Sequence, residues 1–494
     1  MKKHVCLLLF FAMFSASLAS CGNAPAETEA DTADTTAAET ETVAETDSIE
    51  GRKAVSDNLP EKDFGGEKYT VIGYDMNVGY YMAEELNGDV VNDAIYNRNV
   101  DVAERFNVEV IFQDGGSYSD TSAAVKNSVV AGESVYDLVA THYIQMGIDA
   151  LNNVYMDFND VPYIDFEQPW WLDSTTDLLT YKGVTFLAFG EMSLTNTNSA
   201  SCMFFNKDMA EEYELGNIYD LVFEGKWTKD KLAEFGSNVY KDVNGDGIED
   251  RGDIYGYVIS LKSFGDNFTG KPILKQQEDG SFADNYYDEQ LVSIVEWLYD
   301  LVYNQQFVYS EDAWNVNFDM FVTGNTLTTD GLLMQTGWGL RDSEIDYAII
   351  PTPKWDEKQE RYAVSVGGSA DALAVLRTAG NLEKIGIVTE AMCAESWKNV
   401  VPAYYDISLK YKGARDEESI ETLEIIMENR AFDFGVVYGG WGSAGGGAAF
   451  WVQEVVGKGS TDITSYYQSK KNGWDSYMGS IYGAFEEYIS QSGK

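Results

Sequence analysis

Lys68-Tyr-Thr-Val-Ile-Gly-Tyr74 carries the aromatic and β-branched residues of a strand, and its continuation decides the fold. Val91, Ile95, Val102 and Phe106 then recur at helical spacing, which predicts a helix from Val91 to Phe106. Val108 to Phe112 reads as the next strand, Ala123 to Val130 as a helix, and Tyr136 to Thr141 as a third strand. A βαβαβ order of this kind gives parallel strands with right-handed crossovers in an open α/β sheet. Ligands of such sheets sit outside the carboxyl ends of the strands. That places Tyr74-Asp75 and Thr141-His142-Tyr143 at a binding edge.

Downstream the chain is too long for one core, and a second lobe is expected after about residue 160. Thr185 to Phe189 and Ser201 to Phe205 are apolar and strand-like. Lys207 to Glu214 and Lys229 to Tyr240 read as helices, the latter with Thr228 as its N-cap. Asp346-Tyr-Ala-Ile-Ile350 is a strand closed by Pro351 and Pro353, expected to return to the first lobe. Leu382, Ile385, Val388 and Met392 form the apolar stripe of a later helix, and Glu417 to Asn429 form another. The expected lobes are therefore discontinuous: 56–160 with 316–365, and 161–315 with 366–494.

Upstream, residues 1–20 read as a lipoprotein signal peptide. Lys2 and Lys3 precede an apolar run from Val5 to Phe14, too short to span a membrane stably. Leu18-Ala19-Ser20-Cys21 resembles a bacterial lipobox, which implies cleavage before Cys21 and lipid on its sulfur. Residues 21–55 are expected to be a disordered tether, with Ala, Thr, Glu and Asp dominant from Gly22 to Glu50. The whole chain carries a formal net charge of −47, which argues against nucleic acid and anionic lipid as partners. Apart from Cys21 and a cysteine in the leader, Cys202 and Cys393 are the only thiols, and the sequence does not decide whether they pair.

One stretch points to a metal. In Asp242-Val-Asn244-Gly-Asp246-Gly247-Ile248-Glu-Asp250-Arg-Gly-Asp253, side-chain oxygens fall at positions 1, 3, 5, 9 and 12, with glycine at 6. Ile248, at position 7, offers its carbonyl. A hard cation takes six to eight oxygens in this way, so a structural Ca2+ is expected at Asp242, Asn244, Asp246, Ile248, Asp250 and Asp253.

Asn206-Lys-Asp208, Gly225-Lys-Trp227-Thr228-Lys-Asp230, the Asp242–Asp253 loop and Tyr255-Gly256 together resemble extracellular solute-binding proteins of ABC importers, family 1, the sugar-binding type. Gln168-Pro-Trp170-Trp171, Ile350-Pro-Thr-Pro-Lys354, Ala394-Glu-Ser396 and Ala414-Arg-Asp416-Glu-Glu-Ser419 are similar to a subgroup of that family. Gly367-Gly-Ser-Ala370 departs from the subgroup's pattern. The resemblance implies a periplasmic-binding-protein-like α/β fold, two lobes about a hinge, closing on a solute and presenting it to permease subunits. It also implies an extracytoplasmic monomer held by its lipid at the outer face of the cell membrane.

A sugar site needs aromatic faces for C–H surfaces and carboxylates or amides for hydroxyls. The candidates are Trp170, Trp171, Trp338 and Trp441, with Asp75, His142 and Glu191 as polar partners, while Trp227 is assigned to the core. Core packing is the competing reading for each tryptophan. No enzyme is expected: His4 leaves with the leader, so His142 is the sole imidazole for a zinc site or a nucleophile–base pair. A surface glycoside hydrolase working through paired carboxylates, or a glycan-binding adhesin without a transport role, is the alternative.

Overall fold

The βαβαβ unit is present in the computed structural model, which describes residues 49–172, 178–261, 270–311, 313, 315–337, 339–340, 343–368, 370–405, 416–440 and 447–494. The strands of the two larger sheets are β1 (Glu67–Gly73), β2 (Val108–Asp114), β3 (Leu138–His142), β4 (Ser201–Asn206), β5 (Tyr255–Ile259), β6 (Val308–Ser310), β7 (Thr326–Leu332), β8 (Tyr347–Ile350) and β9 (Asp371–Ala374). Trp338, Trp441 and Cys21, the expected lipidation site, lie outside the described residues, as do the expected leader and most of the expected tether.

The first sheet has the order β9-β3-β1-β2. β1 runs parallel to both β2 and β3, as the sequence predicts. The helix Val90–Phe106 starts because Asp89 accepts from the amides of Val91 and Asn92, and it stops at Asn107 in the left-handed region. Tyr118–Ala131 is capped by Ser117 and ended by Gly132 at φ 67°. These helices bury Val102, Phe106 and Val125 against the sheet.

The second sheet has the order β8-β4-β7-β5-β6. β8 pairs antiparallel with β4, from Tyr347 opposite Asn206 to Ile350 opposite Met203. This corrects the expectation that the strand from Asp346 to Ile350 returns to the first lobe. The strand that returns is β9, antiparallel to β3. The strands at 326–332 and 347–350 therefore belong with the second sheet and 371–374 with the first. The physical reason is that Tyr347–Ile350 is buried at every position even though it ends the sheet, so its apolar pattern shows burial on both faces without naming the neighbour. Thr185–Phe189, expected as a strand, makes only a single bridge, Ala188 to Leu373, along the side of β9.

Among the described residues, three segments pass between the two sheets. The first passage ends at Ala200, bridged antiparallel to Val366 of the second. Gly367 donates its amide to the Ser199 carbonyl at 2.7 Å. The third passage lays Arg430-Ala431 parallel to Val364-Ser365 of the second. Phe432 then stacks on Phe189, with ring centroids 3.5 Å apart, and meets Tyr143 edge-on. Trp227 is fully buried, its indole N–H donating to the Pro351 carbonyl at 3.0 Å. Cys202 and Cys393 are buried and unbonded to each other, one in β4 and the other in the helix Leu382–Glu395. No described helix is long and apolar enough to cross a membrane.

Candidate interlobe binding site

At the carboxyl edge of the first sheet, three rings from three strand ends come together. Tyr74 follows β1, Tyr118 follows β2, and His142 ends β3. Tyr118 packs edge-on to Tyr74 with centroids 6.0 Å apart, and lies 5.3 Å from the His142 ring. Tyr74 and Tyr118 are each partly exposed, and Asp75 and Asp114 at the same strand ends are exposed. Burial lowers the His142 pKa to about 4, which keeps the imidazole neutral. Asp75 accepts from the Met76 amide at 2.7 Å, and its own amide donates to the Gly116 carbonyl.

The three passages meet this edge with an unusual density of buried polar groups. Arg430, from the third, donates to the Asn196 carbonyl at 3.2 Å, to Thr197 Oγ1 at 3.1 Å and to Glu191 at 3.4 Å, all on the first. Glu191 is thus an ion-pair partner through one oxygen. Its other oxygen, together with Thr141 Oγ1, Asn196 Oδ1 and Ser201 Oγ, is buried without a hydrogen-bond partner in the protein. Buried polar atoms are ordinarily paired, because each unmet one costs about 1–3 kcal/mol. The second passage runs tight against this floor. A Cβ on Gly368 would stand 3.2 Å from the His142 ring, and one on Gly367 would stand 3.0 Å from Leu332. Both approaches are closer than an ordinary Cβ contact, which favours glycine at 367 and 368.

Of the sequence candidates, Asp75, His142 and Glu191 lie at this edge or crossing. Trp170 and Trp171 do not serve as platforms. Trp170 is fully buried and Trp171 nearly so, and their indole N–H groups donate to the two oxygens of Glu390 at 2.7 and 3.0 Å. Their adjacency directly after Pro169 suits a chain reversal pinned into the core. Tyr118, Arg430 and the buried Arg98 were missed. Tyr118 was visible in principle, as the aromatic residue opening the helix after β2.

The Asp242–Asp253 loop sits on the second lobe between the helix Lys229–Gly236 and β5. Asp242 accepts from the amides of Gly245 and Gly247, Asn244 from Asp246, and Asp246 from Ile248. Asp253 is fully buried, accepting from the Val243 amide at 3.0 Å. The donors are all oxygen, as a hard cation requires, and Gly247 adopts φ 74°. Among the described residues no three acidic, histidine or cysteine side chains converge on one point as a metal-holding group.

No protein-family model matches the chain, and no curated protein does. Solved structures do. An ABC substrate-binding protein from Listeria monocytogenes in complex with cycloalternan aligns at TM-score 0.54 and 11% identity, over 84% of this chain and 99% of that one. The galacto-N-biose/lacto-N-biose I-binding protein of the Bifidobacterium longum ABC transporter aligns at 0.54 and 15%, over 84% and 99%. UspC from Mycobacterium tuberculosis aligns at 0.56 and 14%, over 83% and 100%. The fold is that of the two-lobed solute-binding proteins of ABC importers.

Proposed function

We propose that this chain captures a solute, carbohydrate in class, in the cleft between its lobes and delivers it unchanged to the permease of an ABC importer. The observation that carries the reading is the crossing floor. Thr141 on β3 and Glu191, Asn196 and Ser201 along and just beyond the first passage hold hydrogen-bonding atoms out of water with no protein partner, and the Tyr118 ring lies against His142, the neighbour of Thr141. A polyhydroxylated ligand satisfies such atoms and lays its C–H surface on the rings. Closure then follows from differential affinity, since a ligand touching both lobes favours the shut state. The similarity to binding proteins solved in complex with cycloalternan and with lacto-N-biose supports the same reading.

Three further assignments belong to this reading. Cys21 carries the lipid that anchors the protein outside the cell membrane. The Asp242–Asp253 loop holds a structural calcium, supported by its oxygen donors and the turn at Gly247. The protein works as a monomer.

The test is isothermal titration of the purified chain with a panel of neutral mono- and oligosaccharides, followed by chromatography of the recovered sugar. Saturable binding with intact sugar is expected. Shortened products would identify a hydrolase, and heat-free titrations across the panel would remove carbohydrate as the cargo.

A further inference from the structure

Asp371 opens β9 at the point where the second passage enters the first sheet, and its side chain is fully buried. Asn77 Nδ2 donates to one carboxylate oxygen at 2.8 Å and the Tyr81 hydroxyl to the other at 2.9 Å. The Asp371 amide donates to Thr195 Oγ1, on the first passage, at 3.0 Å. Thr195 Oγ1 lies 2.8 Å from Ser193 Oγ, which in turn meets the Tyr81 hydroxyl. A closed circuit of hydrogen bonds therefore runs Asp371, Tyr81, Ser193, Thr195 and back. It ties two of the three passages to the short 3-10 helix Asp75–Tyr80 at the rim of the binding edge.

The charged and titratable groups around Asp371 come from each packed element. Tyr81 touches it from the rim, Tyr74 faces it from the end of β1, and His142 lies directly across on β3. Arg98, on the helix Val90–Phe106, stays one residue removed: it donates to the carbonyls of Tyr81 at 2.6 Å and Met192 at 2.8 Å. No ion pair to Asp371 occurs among the described residues. An acid held this way costs free energy when charged, so a position on the hinge calls for an explanation.

We propose that Asp371 takes up a proton from solvent when the lobes close and releases it when they open, so that acidity favours the closed hinge and raises solute affinity. Burial pushes its pKa up to about 7, well above the ordinary 3.8. The rim helix over it is exposed at Asp75, Met76 and Gly79, so a small displacement of that helix on opening hydrates the carboxylate and returns it toward its ordinary value. A proton binds the dry arrangement more tightly, and by linkage the proton stabilises that arrangement. On protonation the new O–H donates to the Tyr81 hydroxyl, which turns to donate to Ser193, while Asn77 keeps its bond to the other oxygen. On ionisation Tyr81 turns back. The circuit is thereby complete in both states.

This deepens the solute-capture reading by giving that site a regulator, and its test uses no solute, so either can fail without the other. Hydrogen–deuterium exchange of residues 75–81 is followed in the full chain from pH 5.5 to 8.5, corrected for intrinsic rates. Protection in the wild type is expected to fall by up to tenfold per pH unit above about pH 7. Asp371→Asn, neutral at every pH, is expected to stay protected throughout. Tyr81→Phe, which removes a donor to the ionised form, is expected to move the transition to higher pH, and it serves as the deciding variant should Asp371→Asn not fold. A flat wild-type profile, or the same profile in wild type and Asp371→Asn, overturns the proposal. So does an unmoved transition in Tyr81→Phe.

Discussion

Arg430 Nη2 lies 3.4 Å from Glu191 Oε1, and both side chains are almost completely withdrawn from water. The pair joins the third passage between the lobes to the first. Removing one member of a buried ion pair leaves the other charge stranded. Arg430→Ala is expected to destabilise the chain by about 3–5 kcal/mol in urea unfolding. Replacing both members with apolar residues of similar volume should recover most of that loss. An Arg430→Ala variant as stable as the wild type would show that the guanidinium does not hold the hinge.

Stability should fall as the medium becomes alkaline through neutrality. Burial raises Asp330, Asp371 and Glu390 to about 7 and Asp433 to about 6. An acid whose folded pKa lies above its unfolded one stabilises fully below the unfolded value. That contribution is lost as pH rises through the folded pKa. Thermal melts should therefore give a lower Tm at pH 8 than at pH 5.5. Glu390→Gln should flatten part of this slope. It should also lower the Tm at pH 5.5, because its amide group opposes one of the two indole donors. A slope identical in variant and wild type would count against Glu390 as a contributor.

Chelation tests the metal loop. Adding EDTA to the full chain should lower the Tm and adding calcium in excess should restore it, because a ligand of the folded state stabilises by mass action. Asp242→Ala should abolish the difference. Equal melts with and without chelator would remove calcium from the account.

The aromatic face is tested by Tyr118→Ala. The ring is half-exposed and lies beside Tyr74, so its loss should leave the Tm nearly unchanged. Affinity for whichever sugar binds in titration should drop about tenfold, the scale of one lost stacking contact. Unchanged affinity would place the sugar elsewhere.

Close packing predicts a fifth outcome far from the cleft. A Cβ on Gly386, in the helix Leu382–Glu395, would fall 1.7 Å from the Pro162 carbonyl oxygen. Gly386→Ala must push the helix off that segment and should cost about 1–3 kcal/mol. A neutral result would mean that the segment yields freely.

The parallel βαβαβ unit was legible because its signals are local. Val91, Ile95, Val102 and Phe106 keep helical period, and Asp89 and Ser117 cap the two helices where the apolar pattern begins. Partnership across distance was not legible. Tyr347–Ile350 and Asp371–Ala374 are both short and wholly buried, and nothing in either tells which sheet it joins. The same limit governs the site. Trp170 and Trp171 read as platforms in sequence because their partner Glu390, which accepts from both indole N–H groups, lies some 220 positions away. Asp75 and His142 were found because strand ends follow from local pattern. Arg430 was not, since its partners Glu191, Asn196 and Thr197 are adjacent to it only in space.

The late arrival of β9 has a consequence for biogenesis. A chain emerging amino terminus first displays β1, β2 and β3 early, yet the flank of β3 stays bare until Ala374 has appeared. Meanwhile the whole of the second sheet has been synthesised in between. A nascent molecule thus carries an unfilled strand edge from His142 until Ala374 is made, and whatever escorts it must shield that edge from neighbouring chains.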